Sequence, residues 1–190
     1  MASILGILGT IVGLVRALPQ LIRLIRAKKA FGVSVDTAAT SSIVSFGWAT
    51  YGLLTHQPYV TLATGFSGVI FLLVAYFALR FGRHINEFKI APIWFCLLVL
   101  AGVLAKENGL GIILPISVLA ANIPQLVVAY KEDNLVDLSL GTWLLSLTDG
   151  LVWGTYSIIQ QDYSIMAYAF FQLSTSSIIV VRKKMNQKSN

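Results

Sequence analysis

Ala17-Leu18-Pro19-Gln20-Leu21 puts a proline and a glutamine inside an apolar run long enough for a helix. Proline lacks an N–H and its ring crowds the carbonyl four residues back, so it weakens any helix interior it occupies. The pattern returns as Asn122-Ile123-Pro124-Gln125-Leu126, 105 positions later and again in an apolar run. The same offset, without a gap, lays Ser34 on Ser139, Thr37 on Thr142, Ser41 on Ser146, Trp48 on Trp153, Thr50 on Thr155, Tyr51 on Tyr156 and Phe66 on Phe171. Such a trail at one constant offset is an internal repeat.

The medium follows from composition. Of 190 residues 56% are hydrophobic and 12% charged, whereas soluble domains carry about 25% charged residues. The charges sit at the ends of apolar runs, which argues against nucleic acid as the target of the net +6 charge. A single cysteine, Cys96, excludes an intrachain disulfide. No basic segment precedes the first apolar run, so a cleavable signal is not expected.

A membrane-spanning helix takes about 20 apolar residues. Seven spans are expected, at about 3–25, 37–56, 59–80, 89–105, 109–130, 138–159 and 163–182. Arg23, Arg26, Lys28, Lys29, Arg80, Arg83, Lys89, Lys131, Arg182, Lys183, Lys184 and Lys188 all fall on one side of that arrangement, against Lys106 on the other. Basic loops stay inside, so the N-terminus is expected outside and the C-terminus in the cytoplasm. A three-span repeat would invert its second copy; a fourth, linking span restores the direction. The fold expected is all-α and integral to the membrane, with two parallel three-helix bundles joined by a linker helix. Its divisions are a first repeat over 1–82, the linker over 83–107, a second repeat over 108–184 and a polar tail over 185–190.

Pro19 and Pro124 free the carbonyls of Val15 and Ala120, and the amides of Gln20 and Gln125 are the nearest polar groups to answer them. Two such kinks read as a pair of hinges at a gate, or as static bends that shape packing. On the sixth span Thr142, Ser146, Asp149, Trp153 and Tyr156 are spaced 4, 3, 4, 3 and share one helical face. The second span repeats the face as Thr37, Ser41, Val44, Trp48 and Tyr51. Two such faces would wall a cavity for a small polar solute, with Trp48 and Trp153 deep in it and Tyr51 and Tyr156, near the outer ends, either on the same wall or in an interfacial aromatic belt. Ordinary packing of small residues is the other reading. Asp149 and Arg16 are the mid-span acid and base, each roughly 10–17 Å from the basic-loop end at 1.5 Å per residue. Their similar depth lets them pair, for a proton or solute or as a structural ion pair. Thr64, Asn122, Tyr168, Gln172 and Ser176 are further wall candidates. Gly65-Phe66-Ser67-Gly68 looks like an intramembrane serine-protease motif, but His56 and His84 sit at span ends and cannot serve as its base. No metal-ligand spacing occurs, and neither an enzyme nor a cofactor is expected.

The doubled Pro-Gln helix, the Ser or Thr after each basic loop and the Trp and Tyr on the following span resemble the PQ-loop superfamily. The three-plus-one-plus-three arrangement resembles its SWEET-type transporters. That resemblance implies alternating access, Pro-Gln hinges near a cytoplasmic gate, and sugar-stacking roles for Trp48 and Trp153. It also implies an asparagine on the third helix of each bundle; here the matching places are near Thr64 and Ala169, and spans three and seven hold no asparagine. Plant members carry prolines in the second helix of each bundle, absent from spans two and six. Asp149 instead echoes the intramembrane aspartates of the cystine-transporter branch. The expected function is transport of a small polar solute, a sugar before an amino acid. Alternatives are proton-coupled amino-acid export through Asp149 and a non-transporting receptor or adaptor. Expected partners are that solute, protons in the coupled case, lipid, and other copies of the chain in a homo-oligomer, with no nucleic acid.

Overall fold

The computed structural model describes residues 2–30, 33–131 and 140–189. Their secondary structure is helical: α1 Ala2–Ala27, α2 Val35–Leu54, α3 Pro58–Arg80, a single 3₁₀ turn Ile85–Glu87, α4 Ala91–Lys131, α5 Leu140–Gln160 and α6 Tyr163–Ser189. Ser139 lies outside the described residues, as do the side chains of Arg16, Pro124, Gln125 and Thr142.

Six α-helices stand where seven spans were expected, and the difference falls in α4. This 41-residue element carries the fourth and fifth expected spans, and it departs from helical geometry at Lys106, with φ 46° and ψ −130°. In an unbroken helix residues 101 and 109 would stand about 12 Å apart along the axis. Instead a Cβ built on Gly109 would overlap the Ala101 carbonyl oxygen, and one on Gly102 would meet Leu110 Cδ2 at 3.7 Å. The chain therefore reverses at Lys106, and Gly109 lets the two arms approach backbone to backbone. α6 runs on to Ser189, past the 182 at which the seventh span was expected to end.

α1 stays helical through Pro19. Four helices, α1, α3, α4 and α6, contain stretches long and apolar enough to cross a membrane. α2 and α5 are diluted by their own polar residues: Asp36, Thr37, Thr40, Ser41, Ser42 and Ser45 on one, Thr142, Ser146, Thr148 and Asp149 on the other.

The chain divides into two compact units, Gly13–Ile113 and Met1–Val12 with Leu114–Asn190. In the first, Leu21 and Leu24 of α1 pack with Val35 and Ala38 of α2 and with Ile70, Val74, Ala75 and Ala78 of α3. Side chains three and four apart on each helix supply these contacts. In the second unit α5 lies along α6.

The repeat is visible in the backbone. Between α2 and α3, His56 takes φ 56°; between α5 and α6, 105 residues on, Gln161 takes φ 54°. Gln57 N donates to Gly52 O at 2.7 Å, and Asp162 N to Ser157 O at 3.0 Å. His56 N donates to Leu53 O and Gln161 N to Ile158 O, at 3.3 and 3.4 Å. The helix after each turn opens with the same bond, Thr61 N to Gln57 O and Met166 N to Asp162 O. A left-handed residue closing a helix by backbone bonds to its last carbonyls is a C-terminal cap, and both repeats use it at the same place.

Candidate functional site

The tryptophan–tyrosine pairs repeat as closely as the turns. Trp48 meets Tyr51 edge to face with ring centroids 5.6 Å apart and planes at 85°; Trp153 meets Tyr156 at 5.3 Å and 78°. Residues three apart on a helix are neighbours, and the edge-to-face arrangement sets a positive ring edge on a negative face. All four are buried, Tyr156 completely. Of the two readings of Tyr51 and Tyr156, burial inside each unit favours the shared helix face over a lipid-facing belt.

Trp153 has a partner that the stripe did not reveal. A Cβ on Gly9 of α1 would stand 2.7 Å from Trp153 Cζ2 and 2.8 Å from Cε2. Glycine at position 9 therefore lets α1 lie directly against the indole.

The second unit also holds a buried polar cluster. Asn122 Nδ2 donates to Gln172 Oε1 at 3.2 Å and to Thr175 Oγ1 at 2.7 Å. Gln172 Nε2 donates to Ser176 Oγ at 3.4 Å. One turn earlier on α6, Tyr168 Oη donates to Asp149 Oδ2 at 2.5 Å. Asp149 is 2% exposed, and Ser146, Asn122, Gln172, Thr175 and Ser176 are buried with it. Burying such groups is costly unless they bond one another, and here amides, hydroxyls and a carboxylate do so across α4, α5 and α6. Asn122 and Gln172, expected as cavity-wall residues, bond each other, and Tyr168 bonds Asp149, whose expected partner Arg16 has a side chain outside the described residues. Thr175 was missed, although it lies one helical turn beyond Phe171.

The first unit spends its hydroxyls differently. Thr64 Oγ1 donates to Val60 O at 2.6 Å and Ser67 Oγ to Ala63 O at 2.9 Å, each back onto its own helix. Thr64 is thereby bonded locally rather than to another helix. Ser42 Oγ reaches across to Gly68 O at 2.9 Å. Ser41 and Gln20 lie elsewhere, in a cleft of about 200 Å³ with Ser34, Thr37, Ala38 and Phe71. The Gln20 amide makes no hydrogen bond among the described residues, so the expected bond to the Val15 carbonyl is not formed; Gln20 is exposed and faces the cleft.

One carboxylate escaped the sequence reading. Asp36, in the first turn of α2, accepts from the backbone N–H groups of Lys89, Ile90 and Ala91 at 3.1, 3.0 and 2.9 Å. These donors open α4, whose first N–H groups have no partner within the helix. Burial pushes the Asp36 carboxyl up, but the bonds from Ala91, Ile90 and Lys89 and the Lys89 charge outweigh it and hold the group below the usual carboxylate range. Beside it, Arg83 Nε donates to Val33 O at 2.8 Å, and Arg83 pairs with Glu87 at 3.4 Å. The loop before α4 is thus tied to the loop before α2. Nothing periodic in the sequence links residue 36 to residues 89–91.

Two comparisons bear on this arrangement. The PQ loop repeat family model matches residues 1–61. The whole chain superposes on a eukaryotic SWEET transporter solved at 3.7 Å resolution, with a TM-score of 0.75 and 13% identity, covering 100% of this chain and 99% of that one. Residues 1–61 are thus similar to a PQ-loop repeat, and the fold is SWEET-like. No curated protein sequence matches it. With its long apolar helices, this SWEET-like chain is a multi-pass integral membrane protein.

Proposed function

We propose that the chain is a membrane transporter that moves a small, uncharged polar solute of the sugar class by alternating access. The observation that carries this reading is the doubled Trp–Tyr pair, set with matching geometry on the two helices too polar to count as membrane spans by composition. A polar, aromatic helix face in a membrane protein is kept from lipid, against other helices, water or a solute. The SWEET-like fold supports transport as the use of such faces. In this reading each unit offers its own tryptophan, Trp48 or Trp153, as the solute-stacking ring, with Ser41 or Ser146 on the same helix. Pro19 and Pro124 are the hinges. In this reading the two arms of α4 cross the membrane separately, giving seven crossings and two triple-helix repeats, with the basic loops and the C-terminus in the cytoplasm.

A second reading has its own observation. Asp149 is buried and bonded to Tyr168, and intramembrane carboxyls serve in proton relays. It predicts proton-coupled movement of an amino acid. Uptake of labelled sugars and amino acids into liposomes holding the purified protein, with and without a pH gradient, tests both. Sugar uptake without a gradient supports the first; gradient-dependent amino-acid uptake lost in Asp149→Asn supports the second. If folded, reconstituted protein moves no panel member, both fail and a non-transporting receptor takes their place.

A further inference from the structure

The cleft around Gln20 has a chemistry of its own. Gln20, Ser34, Thr37, Ala38, Ser41 and Phe71 line it, and none of them is charged. The Gln20 amide offers two donors and an acceptor, and the Ser41 hydroxyl offers both; neither side chain makes a hydrogen bond among the described residues. Ser34 Oγ accepts from Thr37 N at 3.2 Å and from Thr37 Oγ1 at 3.0 Å. That leaves the Ser34 proton to donate and the Thr37 oxygen to accept. Phe71, packed on the core behind, closes one side with an aromatic surface.

We infer that this cleft is a second solute subsite, for an uncharged polyhydroxylated ligand, in which Gln20 is a ligand-facing residue. Each vicinal hydroxyl of a sugar or polyol both donates and accepts, as do the free groups on the wall, and the carbon-bound face of a sugar ring fits against Phe71. A zwitterionic amino acid is a poorer match, because its carboxylate and ammonium need opposite charges when taken from water and the lining supplies none. The division of labour within the motif follows: Pro19 weakens the helix, while Gln20, exposed on the next residue, leaves the Val15 carbonyl and turns to the cleft. Ser34 caps α2 at the end where Arg23, Arg26, Lys28 and Lys29 gather. The subsite therefore faces the basic-loop side, which is the cytoplasmic side if the orientation proposed above holds; the inference rests on the transport reading for that side alone.

Binding to full-length protein in lipid nanodiscs, by calorimetry with glucose, sorbitol and glycine as probes, tests it. Gln20→Leu and Thr37→Val each lower glucose affinity by about fivefold to tenfold, the loss expected of one hydrogen bond. Thr37→Ser keeps the hydroxyl and the wild-type affinity, which separates a binding role from a folding one. Phe71→Leu weakens glucose more than sorbitol, since only the former offers a ring face. Glycine does not bind at this site. Wild-type glucose affinity in Gln20→Leu, Thr37→Val and Phe71→Leu together overturns the subsite, as does no glucose binding by wild type, or Gln20-dependent binding of glycine. The transport reading fails separately: protein that binds through Gln20 but moves nothing keeps the subsite, and protein that transports with affinities untouched by these substitutions keeps transport and loses the subsite.

Discussion

Removing the Asp36 carboxylate gives the most direct test of how the start of α4 is held. Asp36 Oδ1 takes the N–H groups of Lys89, Ile90 and Ala91, and Oδ2 takes Ile90 a second time. It does for α4 what an N-cap side chain does within its own chain segment, from a different helix. Losing such a cap costs about 1 kcal/mol, with a range of roughly 0.5–2. A carboxylate at the positive end of a helix adds about 0.3–1 kcal/mol. Asp36→Ala should therefore lose about 2 kcal/mol, and Asp36→Asn, which keeps one acceptor and loses the charge, about half as much. For a chain of this size each kcal/mol lowers Tm by about 2–4 °C, so the alanine variant should melt about 4–8 °C lower at neutral pH.

The pH dependence fixes the sign. The folded carboxyl is held below its ordinary value, and the unfolded one titrates near about 3.9. Its contribution is then complete above that unfolded value and disappears as pH falls through the lower, folded one. The Tm gap between wild type and Asp36→Asn should be full at pH 7 and should narrow below about pH 4. Thermal melts in detergent across that range, with amide exchange followed at residues 89–91, make the measurement. Asp36→Ala melting within about 1 °C of wild type at pH 7 would refute the capping role, given the 2–4 °C expected per kcal/mol. A gap that persists unchanged at low pH would refute its electrostatic part.

Two further outcomes follow from the packing. Gly9→Ala sets a methyl 2.7 Å from Trp153 Cζ2, and overpacking of this kind costs about 1–3 kcal/mol; the Trp153 indole N–H resonance should shift and solute affinity fall, and an unmoved resonance at wild-type affinity would show that α1 does not seat the ring. Tyr168→Phe removes the donor to Asp149 Oδ2, at a cost of about 1–3 kcal/mol. Where uptake depends on a pH gradient, Tyr168→Phe should slow it, and wild-type uptake by the folded variant would sever Tyr168 from the carboxyl's role.

What could be read from the sequence was whatever leaves a local or periodic trace. Apolar runs gave the helices, basic residues gave their ends, and the stripes gave Trp48–Tyr51 and Trp153–Tyr156 as neighbours. The reversal at Lys106 was anticipated as the loop between the fourth and fifth expected spans, where a lysine interrupts the apolar run. Contacts between distant segments left no such trace. Asp36 reads as an ordinary first-turn acid until α4 is placed against it, and Gly9 reads as one small residue among several until Trp153 fills the space above it. The Gln20 reading failed for a more instructive reason. It assumed that a carbonyl freed by proline takes the nearest amide, whereas α1 stays helical through Pro19 and the amide points to the cleft.

The two repeats agree in backbone and differ in chemistry, and the difference follows the offset. The turns at His56 and Gln161 and the Trp–Tyr pairs are near copies. Yet moving the buried polar cluster back by 105 positions sets Asn122 on Ala17, Asp149 on Val44, Tyr168 on Ala63, Gln172 on Ser67, Thr175 on Ile70 and Ser176 on Phe71. Only Ser67 among these first-repeat residues has a polar side chain, and its hydroxyl is turned onto Ala63 O of its own helix. Ser67, bonded within its helix, joins no neighbouring helix, whereas the amide of Asn122 and the phenol of Tyr168 bind one helix to another. Asp149 therefore cannot have an acidic counterpart in the first repeat, and Phe71 walls a cleft at a position where the second repeat has the serine that answers Gln172. A likeness at 13% identity conveys the shared backbone. The unequal positions alone distinguish this chain's polar surfaces from a plain duplication.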